Sequence, residues 1–136
     1  RLRHMLKGKE VAIVGYGGIV DEAIIAAEQL QVNDISCSVY SAHTIKPFDA
    51  KSLIELARKY NAVITIEEHV STGGLGSLAA DIFMSTETKP KYFDRIFLPD
   101  TFSTIVGSQD YLRKYNGLDA QSICHRVYKL LGRSVK

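Results

Sequence analysis

Ala62-Val63-Ile64-Thr65-Ile66, followed at once by Glu67-Glu68-His69, is the stretch that decides the fold. A run that is apolar or β-branched throughout fits a central strand covered on both faces, as parallel sheets require, better than the alternation of a half-solvated strand. Upstream, Lys46-Pro47-Phe48-Asp49 breaks the chain, because a residue before proline avoids helical geometry. Asp49 can then cap a helix whose apolar face is Leu53, Leu56, Ala57 and Tyr60. Further back, Asn33-Asp34 supplies a turn into a strand over Ile35 to Tyr40. Before that, Val20, Ala23, Ile24, Ala27 and Leu30 recur at helical steps, with Asp21 and Glu22 in the first turn, where the helix dipole favours them. Val11 to Val14 is a first buried strand ended by Gly15-Tyr16-Gly17-Gly18. Downstream, Gly73-Gly74-Leu75-Gly76-Ser77 leads into a helix running to about Met84, and Ile96 to Leu98 reads as a fourth strand. Two short helices close the chain. The last has Asp119 as N-cap, Ile123, Val127, Leu130 and Leu131 on its apolar face, and Gly132 to end it.

Strand and helix alternate along nearly the whole chain, so right-handed crossovers predict an α/β three-layer sandwich with a mostly parallel, doubly wound sheet. The 136 residues allow one domain, residues 1–136, with residues 1–9 as a flexible lead-in. The first residue is Arg1 rather than Met, and the expectation is a chain cut from a longer parent. With 46% apolar and 24% charged residues the composition is that of a soluble globular protein, and a formal charge of +2 is far from the basic field that nucleic acid demands. The apolar runs are too short to span a bilayer, so no membrane partner is expected and the location read from the sequence is cytoplasmic. Cys37 and Cys124 make neither a disulfide framework nor a CxxC motif and read as buried, reduced thiols.

Four features could carry chemistry, and each has a plainer reading. Counting G-x-G-x-x-G from Gly15 puts Val20 where the third glycine should stand, and no Walker GK[ST] follows, so this turn reads as a tight βα turn. Glu67, Glu68 and His69 stand at the carboxyl end of a parallel strand, where open α/β sheets place ligands. Glu67 and Glu68 are adjacent, however, and should point in different directions, which favours a structural or interface role over acid–base catalysis. No HExxH pattern exists, and His4, His43 and His125 are scattered, so no metal site is read. Ser77 does not complete a G-x-S-x-G elbow; Gly73, Gly74 and Gly76 beside it permit close packing of another backbone. The candidate strand-end or interface cluster is therefore Glu67, Glu68, His69, Gly73, Gly74, Gly76 and Ser77. A domain that packs in a dimer should also leave apolar surface exposed around Gly73 to Leu78.

Taken in order, Gly8 to Gly17, Thr44-Ile45-Lys46-Pro47-Phe48-Asp49, Ile64 to His69, Gly73-Gly74-Leu75-Gly76-Ser77, Gly107 and Gly117-Leu118 resemble the C-terminal domain of the transketolase family. The same domain occurs in 1-deoxyxylulose-5-phosphate synthase and in the β subunits of 2-oxo acid dehydrogenases. The resemblance implies the third domain of an enzyme that transfers two-carbon units between sugar phosphates, its thiamine diphosphate and Mg held by pyrimidine- and diphosphate-binding domains that meet across a homodimer interface. It assigns no catalytic, cofactor-binding or metal residue to this chain, which is expected to assemble the enzyme and to be inactive alone. The family's GDG motif followed by Asn-Asn is missing from the sequence. Two rival readings are the tail of a 2-oxo acid dehydrogenase β subunit and a stand-alone nucleotide- or anion-binding module using the Gly15 turn and Glu67.

Overall fold

The structure, a computed structural model, describes residues 2–42, 50–68, 74–97 and 118–133. All six residues of β4 (Ala62–Glu67) are buried, which an uninterrupted apolar or β-branched run demands of a strand with helices on both sides. Its parallel neighbours are β2 (Val11–Tyr16), paired Val11 to Ala62 through Tyr16 to Glu67, and β5 (Tyr92–Phe97), paired Ala62 to Tyr92 through Glu67 to Phe97. On the far side of β2 lies β3 (Cys37–Ala42), also parallel, and beyond it β1 (Leu2–Leu6), antiparallel to β3. The five-stranded sheet thus runs β1-β3-β2-β4-β5.

Side-chain alternation divides the core into two layers. Val11, Ile13, Val39, Ile64, Ile66 and Ile96 pack against α1 (Val20–Val32) and α4 (Ala120–Leu131). Ala12, Val14 and Val63 pack against α2 (Ala50–Lys59) and α3 (Leu75–Ser85) on the opposite face. This is the three-layer α/β architecture expected from the alternation of elements. The ends of α4 follow the sequence signals: the Asp119 carboxylate accepts from the Ser122 N–H, and Gly132 takes a left-handed φ of 67°.

Two expectations are corrected. Residues 2–6, read as part of a flexible lead-in, form the edge strand β1. Their sequence hides this because Arg3, His4 and Met5 are exposed and only Leu2 and Leu6 pack inward. The strand is held through Ser38, whose hydroxyl donates to the Gly8 carbonyl (2.9 Å), accepts from the Gly8 N–H (2.7 Å), and lies within hydrogen-bond reach of Tyr60 Oη (2.7 Å) and His4 Nε2 (3.2 Å). The His4 ring stacks on Tyr40, centroids 4.2 Å apart. The fourth strand, expected over Ile96 to Leu98, begins four residues earlier at Tyr92. Asp94 and Arg95 interrupt its apolar pattern because both charges are partnered in the fold: Asp94 pairs with Arg126 of α4, and Arg95 reaches Ser77 of α3. Leu98, the break at Lys46 to Asp49 and the shorter closing helix lie outside the described residues. Among the described residues, no helix is long and apolar enough to cross a membrane.

Candidate functional site

The carboxyl ends of the parallel strands bring part of the expected cluster together. In cross-strand register, Glu67 stands between Tyr16 of β2 and Phe97 of β5. The two aromatic rings are exposed to about the same degree, whereas Glu67 is 2% exposed. A buried carboxylate needs donors, and these come from the helix that the glycine segment starts. Glu67 Oε1 accepts from the Leu75 N–H (2.9 Å) and Oε2 from the Gly76 N–H (2.8 Å). Gly74, in the N-cap position, has no side chain to do this, so β4 supplies the cap of α3 across the fold. The negative carboxylate also meets the positive end of the α3 dipole.

Gly76 explains the close approach. A Cβ there would lie 2.4 Å from Arg95 Nε and 3.0 Å from Thr65 Oγ1, so any larger residue would have to displace the Arg95 side chain from its place under α3. Ser77 Oγ accepts from Arg95 Nη2 (3.1 Å), and the guanidinium lies 5.0 Å from the centre of the Phe97 ring. Thr65 Oγ1 and Arg95 Nε are buried at this contact without a hydrogen bond. Glu68 is buried as well. Gly74 joins the cluster through the chain entering α3, while His69 and Gly73 lie outside the described residues. Arg95 belongs to the cluster although the sequence reading does not include it; the signal is a charged pair, Asp94-Arg95, flanked by Tyr92, Phe93, Ile96 and Phe97.

The apolar surface expected around Gly73 to Leu78 is not found among the described residues of that segment, since Leu75 is fully buried and Leu78 half-buried. Leu75 packs in the core layer with Val63 of β4, and among the described residues the exposed large apolar side chains are Met5, Tyr16, Ile25, Val32, Met84 and Phe97. The turn after β2 passes through a short 3-10 segment, Gly17–Ile19, in which Gly17 has φ +86°, so the turn requires a glycine. The helix it opens carries Asp21 and Glu22 in its first turn, and Glu22 Oε1 accepts from the Ala120 N–H (3.0 Å). At this edge the first N–H groups of α3 are thus already taken by Glu67, and the Ala120 N–H at the start of α4 by Glu22. Cys37 and Cys124 are free and buried; burial pushes their thiols up to about 12 and about 11. No group of three or more His, Cys, Asp or Glu among the described residues could hold a metal ion.

The model for "Transketolase, C-terminal domain" matches residues 2–123. The chain belongs to the transketolase C-terminal domain family. This transketolase C-terminal domain is 37% identical over 127 residues to the 6-deoxy-6-sulfo-D-fructose transketolase subunit SqwH of Clostridium sp., covering 93% of this chain and 38% of that protein. It is 36% identical to a putative transketolase C-terminal section of Methanocaldococcus jannaschii, covering 90% of this chain and 37% of the relative. With the 1-deoxy-D-xylulose-5-phosphate synthase of Oleidesulfovibrio alaskensis it shares 33% identity over 93% of its own length and 20% of the synthase. Among solved structures, a split-gene transketolase described as an inactive beta4 tetramer superposes with a TM-score of 0.85 at 32% identity, over 97% of this chain and 42% of that one. The domain therefore spans between a fifth and about two fifths of the proteins it resembles.

Proposed function

We propose that this domain is the C-terminal assembly unit of a thiamine-diphosphate-dependent transketolase-like enzyme, with two-carbon transfer performed by the parts of the enzyme that this chain does not contain. The observation that carries the reading is the family match over residues 2–123 in a chain that spans only 20% to 38% of its relatives. The carboxyl edge of the sheet supports it. A diphosphate seeks free N–H groups and a positive helix end, but the first N–H groups of α3 go to Glu67 and the Ala120 N–H at the start of α4 goes to Glu22. These two helix starts thus do not fit the diphosphate of the cofactor.

On this reading the partners are the pyrimidine- and diphosphate-binding domains, in the same chain or in a companion subunit, and the parent works as a homodimer in the cytoplasm. The split-gene transketolase and the subunit SqwH favour companion subunits as one arrangement. Relatives named as transketolases or synthases support this reading over the dehydrogenase β-subunit tail. The engagement of Glu67 by the α3 N–H groups weighs against the stand-alone anion-binding module.

Calorimetric titration of the purified chain with thiamine diphosphate and Mg, with sedimentation of the same sample, tests the reading. The expected result is no saturable heat from the chain alone, together with ketol transfer once the companion domains are added. Saturable cofactor binding by the chain alone would overturn it.

A further inference from the structure

Among the described residues, β5 is the last strand on its side of the sheet. Such a strand presents a row of N–H and C=O groups to any other strand that approaches. The Tyr92 N–H turns inward to the Asn61 carbonyl, so by alternation Phe93, Arg95 and Phe97 turn their backbone groups outward. Arg95 is the middle one of these, and neither of its groups is free. Its N–H donates to Asp94 Oδ1 (2.8 Å), and its carbonyl accepts from Arg126 Nη2 (3.2 Å). The two side chains that occupy them are bound to each other: Arg126 Nε donates to Asp94 Oδ2 (3.0 Å), and Nη2 to Oδ1 (2.8 Å).

An ion pair whose side chains are 41% and 25% exposed adds little stability. Its geometry does something else, because a single Asp–Arg fork places an acceptor and a donor where a neighbouring strand would put its own. We propose that the Asp94–Arg126 clasp closes the β5 edge to strand addition, and that the strand it excludes is β5 of a second copy of this chain. The sequence of β5 matches itself in that arrangement. In an antiparallel pair centred on Arg95, Phe93 of each copy would face Phe97 of the other, an aromatic pairing that favours a two-fold contact. Phe97 is already exposed. Arg95 would oppose its own counterpart, a weaker deterrent that leaves most of the exclusion to the clasp. The inference goes beyond the assembly role: strand addition at this edge is not among the contacts that build the enzyme.

The test uses the full chain and the double variant Asp94→Ala/Arg126→Ala, followed by sedimentation velocity over a range of concentrations and by hydrogen exchange at the Arg95 amide. The expected result is self-association strengthened by about tenfold or more over the unaltered chain. The Arg95 amide should exchange faster than in the unaltered chain when dilute and slow again as the complex forms. Adding Arg95→Pro, which removes the outward N–H on an edge strand, should suppress the gain. If the double variant folds with an unchanged melt and sediments like the unaltered chain at every concentration, the proposal is wrong. Association that persists with Arg95→Pro also overturns it, because the contact is then not strand addition. Should the double variant fail to fold, Arg126→Lys keeps the charge but not the fork; it should show a smaller gain, and a folded Arg126→Lys chain with unaltered sedimentation overturns the proposal equally.

Discussion

Glu67 shows how much one residue can be asked to do. The sequence places it at the carboxyl end of a central strand, and a structural role over a catalytic one follows from its neighbour Glu68. Its partners were not legible, because they are backbone N–H groups eight and nine residues later, and no side-chain pattern announces a backbone donor. Replacing Glu67 with Ala strands those donors beside a buried helix end and should destabilise the domain by about 3 kcal/mol, whereas Glu67→Gln, which keeps one acceptor, should cost about half of that. Urea unfolding midpoints of the two variants, compared at constant slope, check the order; equal losses would mean that packing rather than the carboxylate matters. Arg95 was illegible for a related reason. Hydropathy counts an arginine as a break, while in the fold its stem and guanidinium lie along α3 and the Phe97 ring.

At the scale of elements, the sequence is most informative where a side chain's own chemistry marks a boundary, as with Asp119 and Gly132 around α4, and least informative at the sheet's edges. The central strands β2 and β4 are apolar or β-branched along nearly their whole length, but among the described residues β1 and β5 each have one side unpaired, and their patterns are diluted by charge. Gly8 is the residue on which β1 turns. A Cβ there would stand 2.2 Å from the Cys37 carbonyl carbon, and no rotamer change can relieve a backbone clash. Gly8→Ala should therefore push the segment off β3 and break its two hydrogen bonds to Ser38, at a cost of about 1–3 kcal/mol. Hydrogen exchange would show the loss confined to the amides of Leu2–Leu6, with those of β2 and β4 still protected. Uniform deprotection across the sheet would instead mean that β1 is part of the cooperative core.

For the whole molecule, the buried thiols set an alkaline limit. Folding raises Cys37 to about 12 and Cys124 to about 11, in both cases chiefly through burial, and raises Tyr40 through burial and its hydrogen bond to Tyr60. Above about pH 8.5 the unfolded chain releases thiol protons that the folded chain retains. Stability is thus fully present below that point and declines as pH rises toward 11. Thermal melts under reducing conditions from pH 8 to about 10.5 should fall steadily, and Cys37→Ala/Cys124→Ala should flatten the decline up to the pH where Tyr40 begins to contribute. A slope unchanged in the double variant would remove the thiols from the account. The three layers were legible from the alternation of strands and helices, but the pairing of first and last helices was not, since periodicity says which residues face inward and not what they meet. That pairing bears on the chain's synthesis. Ile123 and Val127 of α4 share one core layer with Ala23, Ala26 and Leu30 of α1, and the Ala120 N–H closes onto Glu22 from 98 residues away. While the ribosome is still extending the polypeptide, α1 and one face of β2, β4 and β5 must wait, apolar and half-covered, for α4 to emerge, and that interval is when a nascent chain is most in need of a chaperone.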